Sequence, residues 1–209
     1  VAALAPASDL PPLMGAVQHG LVGRIMTAYL LRAYSATYSD VDFDAYTAGW
    51  NRPWVKSLSS RCLEGLSALV PVAQAAVLGR SIFVKDPTAG PLGERLRENT
   101  PNRPVAAPLL IAQGLADDLV LPTVQDSYMR SRCEAGQSLT YLRAVGRDHL
   151  SLVAPDSPLG PELVRWSAAR LADAPVKPGC ETRSLPAAKN QPSPRSTSAV
   201  RPKTRTPPG

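Results

Sequence analysis

Two stretches decide how this chain reads: Ala107–Val120, APLLIAQGLADDLV, and Gln137–His149, QSLTYLRAVGRDH. In the first, the largely apolar run Val105–Gln113 has strand character, and Gly114 follows it to deliver Asp117. Pro108 interrupts that run. Proline donates no ladder hydrogen bond, so the bonded part is expected to begin after it. In the second, Ser138–Val145 reads as another strand, and Gly146 leads on to His149. Between them Thr123 is placed to cap a helix running to about Cys133, with Gly136 just past its end. Pro161–Leu171 reads as a closing helix, with Leu163, Trp166, Ala169 and Arg170 partly on its core side. Strand–helix–strand–helix order implies an α/β fold with a parallel sheet. Groups that follow the carboxyl ends of such strands gather at one edge of the sheet.

Asp117 and His149 are therefore expected to meet. Histidine is the side chain best suited to proton transfer near neutrality. A carboxylate beside it can orient the ring and stabilise its charged form. Gly114 is expected to let the chain turn sharply off the strand. Val120 and Leu121 can anchor the loop that carries Asp117. Asp118 is the adjacent rival for the acid role, although a carboxylate beside another is commonly a solvated loop charge. The order acid then base fits catalytic use. His19, the other histidine, lies in GAVQHGLVG and is expected at a helix surface or turn.

The chain opens on VAALAPA, Val1–Ala7, an apolar run without polar alternation, as in a strand covered on both faces. With Asp9 and the Pro11–Pro12 helix-start signal, residues 1–9 form one unit in this reading. Because the run starts in mid-core, the natural protein is expected to extend upstream. Residues 10–100 read as mainly helical. Leu21, Ile25, Ala28 and Tyr29 recur at helical spacing, and so do Leu66, Leu69, Val70 and Ala73. Tyr34, Tyr38, Phe43, Tyr46, Trp50 and Trp54 cluster between them and are expected mostly to pack. This region is expected to be a helical cap inserted over the site, with residues 101–173 returning to the α/β core.

Residues 174–209 hold eight prolines and no aromatic residue. They are expected to be disordered, since little apolar surface offsets the entropy of ordering them. Seven Lys and Arg lie after Asp173 against one acid, Glu181, so this tail accounts for the whole formal net charge of +6. The body before it is neutral. A nucleic-acid module driven by the basic tail is the weakest reading, because no aromatics interleave the cations for base stacking. No nucleic-acid partner is expected. No run of about 18 apolar residues is present, so no transmembrane segment is expected. Cys62, Cys133 and Cys180 fit no zinc spacing and permit at most one internal disulfide. Cys62–Cys133 is one candidate pair, and free buried thiols are the alternative. No metal is expected.

A serine hydrolase needs a nucleophile as well as an acid and a base. The pattern GxSxG is absent. Ser67 in GLSAL and Ser138 in GQSLT each have the first glycine and lack the second. Ser67 lies in a helical repeat and Ser138 begins a strand, so neither has the strand–elbow–helix context. No HGGG-like oxyanion loop occurs.

The stretches VAALAPASDL, AYSATYSDVDFDAY, PVAAPLLIAQGLADDLVLP and CEAGQSLTYLRAVGRDH, spread over residues 1–172, resemble the C-terminal part of the secretory lipase family of α/β-hydrolases. That group includes the lipase A type of yeast and many actinobacterial lipases. The resemblance implies the C-terminal portion of an α/β-hydrolase fold, with parallel strands, flanking helices, a helical cap insertion and a disordered tail. It implies Asp117 as triad acid and His149 as triad base, with the serine upstream of Val1. It implies cleavage of carboxylic esters, lipid esters above all, with no cofactor, in a secreted or cell-envelope protein. The alternative is an inactive hydrolase-like remnant that binds lipid or a protein partner. Oligomeric state is not legible in the sequence.

Overall fold

The computed structural model describes residues 1–62, 69–79 and 81–187. Four strands, β1 (Ala2–Leu4), β2 (Leu109–Gly114), β3 (Leu139–Ala144) and β4 (Cys180–Leu185), form one sheet in the order β1-β2-β3-β4. All three pairings are parallel. β2 is buried on both faces, which explains its largely apolar run, while β3 is buried except at the half-buried Thr140 and Arg143. One face packs Leu110, Ala112, Leu142 and Ala144 against Leu152 and Leu159. The other packs Ile111, Leu139 and Tyr141 against Tyr128 and Met129 of α7 (Pro122–Glu134). The helix α8 (Leu159–Leu171) covers the first face. The parallel α/β architecture expected from the sequence is the one observed.

Between β1 and β2 the described residues form six α-helices: α1 (Leu10–Val17), α2 (Leu21–Thr37), the short α3 (Phe43–Tyr46), α4 (Arg52–Ser59), α5 (Leu69–Val77) and α6 (Gly90–Glu98). They build a core of their own around α2, whose Ile25, Ala28 and Leu31 meet Val55, Leu58, Ala75, Leu92 and Leu96. Gly23 lets α2 start hard against the end of α1, because a Cβ there would lie 1.7 Å from the Val17 carbonyl oxygen. Phe43 and Tyr46 are core residues, as expected of packing aromatics. Trp50 and Trp54 are not; they stand 66% and 45% exposed. Leu66 and Ser67 lie outside the described residues.

Four local expectations are corrected. The α7 helix begins at Pro122 with Leu121 before it, and no side chain caps it, so Thr123 lies inside the helix rather than at its cap. Proline at the first helical position presets the backbone and lacks only an N–H that would be orphaned anyway. The opening strand is shorter than Val1–Ala7, because Ala5 turns to a positive φ of 45°. The stretch expected to be disordered from residue 174 carries β4, paired with β3 from Leu139↔Cys180 to Ala144↔Leu185. Its Arg183 reaches Glu162 of α8 at 3.1 Å. Finally, Cys133 pairs with Cys180 and not with Cys62, which is exposed and free. The pairing follows from β4: running beside β3, it starts where α7 ends, with the two Cα atoms 5.8 Å apart. Residues 188–209, the rest of the basic tail, lie outside the described residues.

Candidate active site

The ends of β2 and β3 are laced together before any site residue appears. The Leu115 N–H donates to the Ala144 carbonyl at 3.0 Å, and the Ala116 N–H donates to the Arg147 carbonyl at 2.8 Å. Gly114 sits at this crossing. A Cβ on it would stand 2.3 Å from the Arg147 carbonyl oxygen, so only glycine fits. Its φ is not in the left-handed region. The expectation that Gly114 serves a sharp turn is thus corrected: it serves a close approach. The turn glycine is Gly146, at φ 71°.

Asp117 is buried, at 1% exposure. Its Oδ1 accepts the backbone N–H groups of Leu119 and Val120, each at 2.8 Å. Its Oδ2 accepts the Gln113 side-chain amide at 3.1 Å and faces His149 Nδ1 at 2.9 Å. The carboxylate is therefore held from three sides and aimed at the imidazole. Asp118 points into solvent, as expected of the rival.

Gln113 was not singled out from the sequence. It is fully buried, and the same Nε2 also approaches the Val120 carbonyl at 2.8 Å. Its polarity within an otherwise apolar strand was the available clue, since a buried amide requires partners.

The His149 loop is as firmly tied. The Asp148 carboxylate accepts the N–H groups of Leu150 (3.0 Å) and Ser151 (2.7 Å) and the Ser151 hydroxyl (2.8 Å). These bonds, led by the Ser151 N–H, hold its pKa below the ordinary value. Arg147, only 2% exposed, donates to both carboxylate oxygens of Asp156 at 3.0 and 2.9 Å. It also donates to the carbonyls of Ser151 and Asp156. The Arg147 guanidinium in turn pulls the Asp156 carboxyl below its usual range. Sequence reading passed over Arg147 because an arginine next to a loop glycine is normally solvated.

His149 keeps 33% of its side chain exposed. It lines an apolar cavity of about 290 Å³ together with Leu119, Val120, Ala5 and residues of α1 and α2, among them Leu13, Met14, Met26 and Leu30. A cavity of about 440 Å³ opens at the other end of the sheet, near Trp166, Arg170 and Lys177, remote from His149. With Nδ1–H donating to Asp117, the tautomer leaves a lone pair on Nε2. No described group hydrogen-bonds Nε2. The pair can accept a proton from a group presented at the cavity mouth. His19 lies in the exposed turn between α1 and α2, as expected, and takes no part in this pair.

No family model matches the chain, and no curated protein matches it. Among solved structures, the chain is similar to the X-ray structure of Candida antarctica lipase A, at 14% identity and a TM-score of 0.63. That match covers 90% of this chain and 44% of the lipase. The same lipase in its closed state matches at 14% identity and a TM-score of 0.60, covering 85% and 43%. The fold is α/β-hydrolase-like. The chain spans less than half the length of the lipase structures it matches.

In this fold Ser138, one of the two serines considered from the sequence, lies away from His149. Ser138 precedes β3, whereas His149 follows it, so the two are about 20 Å apart along the strand. The Ser138 hydroxyl accepts the Gly179 N–H at 2.9 Å. Ser8, buried after β1, accepts from Gln125 and donates to the Pro6 carbonyl. No described serine hydroxyl bonds to His149. No described helix is long and apolar enough to cross a membrane.

Proposed function

We propose that Asp117 and His149 are the acid and base of a carboxylic-ester hydrolase acting on lipid esters, of the secretory lipase kind. The observation that carries this is the 2.9 Å contact between His149 Nδ1 and a buried, triply held Asp117, at the carboxyl ends of adjacent parallel strands. In this mechanism His149 Nε2 takes the proton of a nucleophilic hydroxyl as that oxygen attacks the ester carbonyl. Asp117 holds the ring in the required tautomer and stabilises the imidazolium. The tetrahedral intermediate then expels the alcohol, which receives the proton from Nε2, leaving an acyl-enzyme. Water, deprotonated by the same nitrogen, releases the acid and frees the hydroxyl. No cofactor enters. The apolar cavity beside His149 supports an acyl chain as the group bound, and the helical insertion that walls it acts as a cap. The Cys133–Cys180 disulfide supports an oxidising, extracytoplasmic location.

One observation favours a second reading, a non-catalytic relative that binds lipid: no described hydroxyl reaches His149. Hydrolysis of a short-chain nitrophenyl ester, with and without a serine-directed phosphonate, separates the two. Turnover that is blocked by covalent labelling and lost in His149→Ala supports the hydrolase, and the labelled peptide names the nucleophile. Turnover that survives His149→Ala rejects the assignment of His149. The absence of both turnover and label means that these residues carry the acid and base without the nucleophile, and lipid binding by the chain would then support the second reading.

A further inference from the structure

The cavity of about 440 Å³ lies at the amino ends of the strands, across the sheet from the corner that holds His149. Three segments wall it. β3 supplies Thr140 and, just before the strand, Ser138; α8 supplies Trp166 and Arg170; the link from α8 into β4 supplies Val176 and Lys177. A cavity of that volume suits a small organic molecule.

The cations of its lining fall into two groups. Arg183 is held by Glu162 at 3.1 Å and by Glu181 at 3.3 Å, so Glu181, the acid of the lining, is occupied. Arg170 and Lys177 have no carboxylate partner among the described residues. The Arg170 guanidinium stands 5.8 Å from the centre of the Trp166 ring, a cation–π contact that fixes its plane. Its Nε is buried without a hydrogen-bond acceptor. A buried donor left unmade costs free energy, which an incoming acceptor would recover. The Ser138 hydroxyl accepts the Gly179 N–H at 2.9 Å, which leaves its own proton to donate. Trp166, Val176, Pro175 and Pro178 make the rest of the lining largely apolar.

These features select a ligand. A planar guanidinium with free N–H groups matches a carboxylate, which can accept two of them at once. A cationic ligand would meet Arg170 and Lys177 with like charge. A wholly apolar one would cover the guanidinium and leave its donors unmade. A bare inorganic anion would make no use of Trp166 and Val176. We infer that this cavity binds a small organic carboxylate with an apolar body. The carboxylate accepts from Arg170 and Lys177, and the body lies against Trp166 and Val176. Since these residues belong to α8 and to the link into β4, the bound molecule would tie the edge strand to the helix beside it. The site is separate from His149, and the inference does not rest on the hydrolase reading.

The test adds benzoate, its uncharged isostere benzamide, and inorganic phosphate to the whole chain. NMR reads the Trp166 indole, the Arg170 Nε–H and the His149 ring. Benzoate is expected to shift the first two saturably and to leave the third in place. Benzamide and phosphate should each bind at least about tenfold more weakly, because each lacks one half of the recognition. Arg170→Met keeps an unbranched stem against Trp166 but removes the fork, and should weaken benzoate about tenfold. Lys177→Met should weaken it about threefold, with circular dichroism unchanged in both variants. Four results would overturn the inference: no saturable shift with benzoate, equal binding of benzamide, equal binding of phosphate, or wild-type affinity in Arg170→Met. The benzamide and phosphate comparisons use the unaltered chain, so they decide the matter even if Arg170→Met fails to fold.

Discussion

The corner where β2 and β3 end and the helical insertion before it are stabilised in different ways. At the corner, position is set by directional bonds. Asp117, Gln113, Arg147 and Asp148 each meet two or more partners, and the two loops are joined backbone to backbone. In the insertion, position is set by apolar packing around α2, and one helix face is left bare. Directional bonds place two side chains at hydrogen-bonding distance, which proton transfer requires. Packing builds a body that tolerates change on its surface.

The largest expected effect comes from outside both regions. The disulfide closes a loop across a sequence separation of 47 residues. By chain entropy, Cys133→Ser/Cys180→Ser should lose about 4 kcal/mol in denaturant unfolding. Amide exchange should speed up most in β4. Faster exchange first at Asp117 and His149 would mean that the corner depends on β4 for its order, which its own bonds argue against.

Next come two of the close glycines, one from each region. Gly114→Ala and Gly23→Ala each push a Cβ into a backbone carbonyl, so each should cost about 3 kcal/mol. Only the first should move the His149 ring resonances in NMR, because only Gly114 lies between the paired loops. If Gly23→Ala moves them equally, the two regions are one mechanical unit and the contrast fails.

A smaller effect is expected in acid. The folded pKa values of Asp148 and Asp156 are lowered, from the ordinary 3.8, by the Ser151 and Arg147 bonds respectively. A carboxyl with a lowered folded pKa adds stability that is fully present above its unfolded value. That stability is lost as pH falls through the folded one. The His149 loop should therefore be firm at neutral pH and loosen below about pH 4. Asp156→Asn should flatten that dependence in a pH series of thermal melts. The smallest effect on stability is expected from Val70→Asp/Val77→Asp on the exposed face of α5, within about 0.5 kcal/mol for each site. A much larger loss would mean that the α5 face is covered by the protein itself.

The helical insertion was the less legible half. Periodicity announced its helices, but periodicity reports that a face is apolar and not whether anything covers it. Trp50 and Trp54 look like core residues in sequence, and only the packing leaves them outside. The two strands leading to Asp117 and His149 were easier: the first, buried on both faces, leaves a largely apolar run, and each is followed by a glycine and then the site residue. Gln113 and Arg147 were passed over for a common reason. A buried polar side chain is recognisable only through its partners, and those of Arg147 include Asp156, nine residues away.

By itself the sequence determined that the strands before Asp117 and His149 belong to a parallel sheet, the helical character of residues between β1 and β2, and the placement of Asp117 and His149 at strand ends. These follow from local propensity and from the alternation or continuity of apolar residues, which are properties of neighbours along the chain. Tertiary structure alone decided that Gly114 serves a contact and not a turn, that Cys133 bonds Cys180, that a strand lies within the proline-rich stretch, and that α5 shows an apolar face to solvent. Each depends on where a distant segment comes to rest: the Arg147 carbonyl, the open edge of β3, and the far sides of α2 and α4. No window along the chain contains that distance.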